Sequence, residues 1–259
     1  MGQHDFWSER AFTLVELLAV VSVIAILCAL LLPSVRASVS SAQRTTTLSN
    51  MHQLGQALTN FTVENNGGLP LDKGATDDKW STAASGQNDS VWYNALPRAC
   101  GMKGVGDCAA STAGKAEFYS GKSLFFSPTA KYPADKLTAS SPYFPIAMNS
   151  KLIQANTQVR MSSISQPAKT VAFLENGLPQ ESKFRPTQSA FNGQPTAFAS
   201  RFVARYARNK QGIIVFFDGH ASLVDADGIV APAGKAYFPQ LAGGGTVLWT
   251  ADPDLDANN

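Results

Sequence analysis

Residues 12–32 read FTLVELLAVVSVIAILCALLL, and this stretch decides the architecture of the whole chain. Twenty or so consecutive apolar residues are about the length that crosses a bilayer as a helix. The only charge among them is Glu16. A secretory signal peptide has a shorter apolar core, basic residues before it and small residues at a cleavage site after it. Here the apolar run is too long and the helix-compatible sequence continues beyond it, so the segment is expected to stay in the mature protein. The preceding MGQHDFWSERA carries Asp5, Glu9 and Arg10, while Arg36 and Arg44 follow the run. Charge alone therefore leaves the orientation of the anchor open.

Outward from the anchor, Pro33 stands directly after the apolar run, where it kinks a helix rather than necessarily ending it. Leu48, Met51, Leu54, Leu58 and Phe61 then recur at spacings of three and four, an apolar stripe on one helix face. The helix is expected to run to about Asn65, with Gly67-Gly68 as its stop. A helix from Phe12 to there would be about 80 Å long. Half of it would lie in a membrane or filament core, and half would pack under a head.

The rest of the chain is loop-rich. Strand-like runs occur at Val159–Met161, Thr170–Leu174, Gly212–Phe217, His220–Val224 and Val247–Trp249, and no further clear helix is expected. Trp92 and Tyr93 read as core aromatics. The expected fold class is α+β, a long N-terminal helix packed on an antiparallel β-sheet. Asp218-Gly219 in IIVFFDGHASLV suits a two-residue type I′ hairpin turn. That turn would pair Phe217 with His220, Phe216 with Ala221 and Ile214 with Leu223. Ile214, Phe216, Ala221 and Leu223 would then face the core, and Phe217, His220 and Ser222 would face solvent.

Composition excludes several functions. The chain of 259 residues is 44% hydrophobic and only 15% charged, with a formal net charge of +2. No Lys/Arg run exists, so no nucleic-acid partner is expected. Gly121-Lys122-Ser123 lacks the glycine spacing of a phosphate loop. Asp218 and His220 come with no nucleophile motif, and the turn accounts for Asp218-Gly219, so the chain is expected not to be an enzyme. Of the three cysteines, Cys28 lies in the apolar run. Cys100 and Cys108 bracket CGMKGVGDC, and either a disulfide or two free thiols fits. A zinc site lacks a second Cys/His pair. No cofactor is expected; weak calcium candidates are Asp225, Asp227, Asp252 and Asp254, acidic loop residues without a complete EF-hand spacing.

Ala11-Phe-Thr-Leu-Val-Glu16 followed by a long apolar helix resembles the type IV prepilin signal, shared by pilins and the pseudopilins of type II secretion. The resemblance implies a pilin-like fold and four regions. These are a leader (1–11), a transmembrane or filament-core helix (12–32), its amphipathic continuation (33–66), and an extracytoplasmic head (67–259). It implies cleavage between Ala11 and Phe12 by a prepilin peptidase and N-methylation of Phe12. It also implies pairing of Glu16 with the new amine of a neighbouring subunit, so that copies of this chain or other pilin-like subunits are partners. The residue before the cut is usually Gly, and here it is Ala11. Calcium enters again by analogy, since major pseudopilins bind it in a C-terminal loop.

Phe217-Asp218-Gly219-His220 is similar to the end of the H-x9-DG signature of a prepilin-like group (DUF1559-like) abundant in planctomycete-type bacteria. SNMHQLGQALTNF, NNGGLP, VWYNAL, FFSP, PYFPIAMNS, ISQPAKTVAFLE and VLWTADPD agree with it in order. Two positions depart: Arg208 stands where the first histidine is usual, and Ser127 where Cys is frequent. The implied function is a structural subunit of a type IV pilus-like or pseudopilus-like filament. It would be single-pass in a bacterial inner membrane with its head in the periplasm, and extracellular or envelope-spanning once assembled. The alternative is a membrane-tethered binding module for polysaccharide or a surface partner, without filament formation.

Overall fold

The computed structural model describes residues 13–72, 78–153, 158–234 and 247–251. The chain divides into two units, Met1–Ala42 and Gln43–Asn259, and each contributes part of one helix, α1 (Leu14–Glu64, 51 residues). Pro33 lies inside α1 without ending it. In the first unit every described residue is exposed, including each large apolar side chain from Leu14 to Val39.

In the second unit α1 acquires a buried face. Met51, Leu54 and Leu58 are buried, and Leu48 and Phe61 pack partly buried beside them, as the spacing of the stripe demands. Thr47, Gly55, Ala57 and Thr62 widen that face. The helix stops one residue earlier than expected. Asn66 takes the left-handed conformation (φ 54°), and the Gly67 N–H reaches back to the Thr62 carbonyl at 2.7 Å, a six-to-one bond that closes the end.

The sheet has five strands in the order β3-β1-β2-β4-β5. They are β1 (Ile146–Asn149), β2 (Val171–Glu175), β3 (Thr196–Ala197), β4 (Gln211–Phe216) and β5 (Ala221–Asp225). All neighbours are antiparallel except the short β1–β3 pair. The result is a long helix with a mostly antiparallel sheet, an α+β pilin-like arrangement. Val159–Met161 is not a strand: Arg160 makes one isolated bridge to Gly68, and Met161 begins a 3-10 turn. Val247–Trp249 contributes a single parallel bridge, Leu248 to Thr170.

Both faces of the sheet are covered. One core joins Ile146, Met148, Phe173, Ile213, Val215 and Phe217 to α1 and the aromatic cluster around Trp92. The other joins Ala147, Val171, Leu174, Ile214, Phe216 and Trp249 with Phe202 and Val230. Strands buried on two sides read as continuous apolar runs, which is the pattern of IIVF and VAFL.

Two further corrections concern the expected elements. Among the described residues four short helices follow α1: α2 (Trp80–Ala83), α3 (Trp92–Ala99), α4 (Val105–Cys108) and α5 (Thr112–Phe118). Only α3 exceeds two turns, burying Trp92, Tyr93 and Leu96 on one side, and tertiary contacts hold all four in place. The buried Asn94 side chain donates to the Ala83 (2.9 Å) and Asn88 (3.0 Å) carbonyls and accepts from the Gly106 N–H (2.7 Å). A Cβ on Gly106 would come within 2.3 Å of the Ala83 carbonyl oxygen, so only glycine allows α4 to lie that close to α2. Trp92, as expected, is core: its ring meets Phe125, Phe144 and Phe173 at 5.5, 6.0 and 5.7 Å.

The second correction is the hairpin. Asp218 and Gly219 are in the turn, but the loop has three residues rather than two. Phe216 N–H donates to the His220 carbonyl (2.9 Å), Gly219 N–H donates to the Phe216 carbonyl (3.0 Å), and Gly219 alone has positive φ, 89°. This is a turn closed by a left-handed glycine bulge. The register consequently moves by one: Val215 faces Ala221 and Ile213 faces Leu223. Phe217 is buried at 2% exposure instead of facing solvent, because the face that carries Ile213, Val215 and Phe217 packs into the core with α1 while Ile214 and Phe216 stay buried on the other.

Candidate functional site

The N-terminal end of α1 begins with Thr13 and Glu16. The Glu16 carboxylate accepts the Thr13 N–H (3.0 Å) and the Thr13 hydroxyl (2.8 Å), while Thr13 Oγ1 accepts the Glu16 N–H (3.3 Å). This reciprocal pair is a capping box, which satisfies helix-end donors that hydrocarbon cannot. The T-x-x-E spacing carried that signal in the sequence, alongside the role that the resemblance implies for Glu16. The carboxylate is thus held by its own first turn, on a segment whose apolar side chains have no covering. Ala11 and Phe12, the processing residues, lie outside the described residues, as do Asp252 and Asp254.

A second set of functional groups sits in the head. Gly55 on α1 lets the β4–β5 loop come close: a Cβ there would meet Val215 Cγ1 at 2.9 Å and the Gly219 carbonyl oxygen at 3.3 Å. The loop and helix bound a groove lined by His52, Gln56, Thr59, Asn60, Asp218, Gly219 and His220. Asp218 Oδ1 accepts the His220 N–H at 3.1 Å and lies 2.5 Å from His220 Nδ1. The imidazole stacks on Phe216, 4.2 Å between centroids.

Nothing in the sequence pattern pointed to Arg205. Its five N–H donors are all used: Nε (2.8 Å) and Nη2 (2.7 Å) to Glu181, Nη1 to Glu175 (3.1 Å) and the Pro145 carbonyl (3.2 Å), and Nη2 to the Asn176 carbonyl (2.8 Å). All three charged side chains are buried. Burial pushes the Glu175 carboxyl above the ordinary carboxylate range, although Arg205, the Ile213 N–H and the Tyr206 hydroxyl pull it down. Burial opposes the Arg205 charge, but Glu181 and Glu175 outweigh it and hold the guanidinium protonated. A chain of hydroxyls links this cluster to α1: Tyr206 to Glu175 (3.2 Å), Thr129 to Tyr206 (3.5 Å), Ser127 to Thr129 (3.2 Å) and Ser127 to Thr47 (3.1 Å). Ser127, at the position where Cys is frequent in the resembling group, is therefore a buried hydroxyl bonded to the helix.

Other candidates separate. Cys100 and Cys108 stand as free thiols in this structure. Cys100 is exposed at the end of α3, while α4 turns Cys108 into the core. For calcium, the Asp227 carboxylate is paired with Arg185, and Asp225 Oδ1 accepts from Gln211 Nε2 at 3.0 Å. Among the described residues no group of three or more His, Cys, Asp or Glu is placed to hold a metal.

Among the described residues one helix carries an exposed apolar span of bilayer length, and with the mostly antiparallel sheet it makes a pilin-like arrangement that fits N-terminal membrane anchoring. Residues 8–32 match the family model of the prokaryotic N-terminal methylation motif, which marks a type IV pilin-like precursor processed by a prepilin peptidase. No curated protein and no solved structure matches the chain.

Proposed function

We propose that the chain is a non-enzymatic subunit of a type IV pilus-like or type II secretion pseudopilus-like filament. In this reading it is cut between Ala11 and Phe12, methylated at Phe12, and anchored in the inner membrane with its head in the periplasm. The order of motifs along the head supports a place in the H-x9-DG group. The observation that carries the reading is the segment Leu14–Leu32, apolar apart from one carboxylate near its start and uncovered on every side. Such a surface is satisfied by lipid or by the same segment of other copies. A carboxylate in hydrocarbon costs about 2.5–3.5 kcal/mol at mid-membrane, which a cationic amine from a neighbour offsets.

Substitution at Glu16 tests this, and the capping box dictates the choice. Glu16→Gln keeps an oxygen for the Thr13 N–H but removes the charge. The variant is expected to insert in membranes at wild-type level and to be absent from the sheared-filament fraction. Recovery of Glu16→Gln in filaments at wild-type level would refute the charge pairing. Mass spectrometry of the mature chain should give an N-methylated Phe12; an intact Met1 overturns the processing.

A further inference from the structure

We propose that the groove between α1 and the β4–β5 loop binds an uncharged polyhydroxylated ligand, a glycan. The site does not rest on filament formation, since all its residues lie within the unit Gln43–Asn259.

Its shape is built by specific residues. His52, Gln56 and Asn60 follow each other at intervals of four along α1 and so share one helix face. The opposite wall is the loop Asp218–His220, brought in by the bare Cα of Gly55 and held by the left-handed Gly219. The space between is about 640 Å³, within the roughly 300–1,000 Å³ of small-molecule sites, and it opens widely to solvent. An open groove suits a chain-like ligand that continues beyond the site.

Chemistry narrows the class. Among the described residues no Lys or Arg lines the groove, so a phosphate or nucleic acid would meet no counter-charge from them. Among the described lining residues Asp218 is the single carboxylate and is engaged by His220, too little oxygen charge for calcium. The described lining side chains all carry a polar group and none is purely aliphatic or aromatic hydrocarbon, which disfavours a wholly apolar ligand. What the walls do offer is a set of neutral groups that both donate and accept. The side chains of His52, Gln56 and Asn60 have no hydrogen-bond partner among the described residues. Each amide presents two donors and an acceptor in one plane, the pattern that vicinal hydroxyls satisfy. With Nδ1 turned to Asp218, His220 presents Nε2 outward, and Phe216 fixes the plane of its ring.

The test uses the full chain in lipid nanodiscs and four neutral probes: cellohexaose, laminarihexaose, chitohexaose and maltohexaose. Saturation-transfer NMR and calorimetry are expected to show saturable binding of at least one. The double variant Gln56→Ala/Asn60→Ala should weaken it about tenfold, with unchanged circular dichroism, because both side chains are exposed. His220→Ala should weaken it as well. If the double variant fails to fold, each single substitution decides by the same criterion. The proposal is overturned if none of the four binds at about 10 mM. It is overturned equally if the double variant binds as tightly as wild type, or if the groove instead takes up Zn²⁺ through His52 and His220.

Discussion

Removing the Arg205 guanidinium is the sharpest probe of the head. In Arg205→Met the aliphatic stem is roughly replaced, but two carboxylates, Glu175 and Glu181, stay buried without their cation. All five donor contacts vanish, three of them to carboxylate oxygens. Leaving a buried partner uncompensated costs about 3–5 kcal/mol, against a total stability of about 5–15 kcal/mol for a domain. The loss depends on pH, and its sign follows from Glu175. Its folded-state pKa is already raised, burial being the main cause. Stability linked to a raised carboxyl is present below the unfolded pKa and lost as pH rises through the folded one. Without Arg205 one downward influence is gone, so the folded pKa rises further, and each tenfold gain in proton affinity is worth about 1.4 kcal/mol. The destabilisation of Arg205→Met relative to wild type should therefore be smaller at pH 5 than at pH 8. Urea unfolding of the full chain in micelles, followed by the fluorescence of buried Trp80, Trp92 and Trp249, measures this. Adding Glu175→Gln and Glu181→Gln should restore part of the loss at pH 8. A difference under about 1 kcal/mol at pH 8, or one independent of pH, would show that the cluster is not held by its charges.

Three further outcomes are expected. Gly55→Val pushes a branched side chain against Val215 and the Gly219 carbonyl and should cost about 1–3 kcal/mol in the same unfolding assay. Phe217→Ala should cost about 3–5 kcal/mol, whereas a solvent-facing Phe217, as a two-residue turn would place it, would leave stability within about 0.5 kcal/mol. Iodoacetamide at pH 8 should label Cys100 in the folded protein and Cys108 only after unfolding, since burial pushes the Cys108 thiol up to about 11; equal labelling of both in the folded chain would contradict the placement of α4.

Local patterns were legible where one residue's neighbours in sequence are also its neighbours in space. The apolar run, the stripe from Leu48 to Phe61 and the turn at Asp218-Gly219 all belong to that kind. Reading stopped where the deciding neighbour is far along the chain. The hairpin loop length depends on whether Phe217 gains more from burial beside α1 than a tighter turn gains from its geometry, and the core wins. The short helices α2 to α4 are organised by Asn94 and by the space that Gly106 leaves, contacts that no window of sequence contains. Three successive left-handed residues, Ala207 to Asn209, turn the chain back so that Gln211 pairs with Tyr206, without any glycine to announce them.

The sequence alone determined the apolar helix: 21 residues from Phe12 to Leu32 hold one charge, and hydrophobicity over that length needs no partner to define a helix long and apolar enough to cross a membrane. It also determined that the helix continues and presents one apolar face, because a period of 3.6 is a local property. Only the tertiary structure decided which way the β4–β5 hairpin faces, that Arg205 lies between Glu175 and Glu181, and that Gly55 opens a groove beside Asp218 and His220. Each of those depends on burial and electrostatic pairing between residues dozens of positions apart, and such terms exist only once the chain has closed on itself.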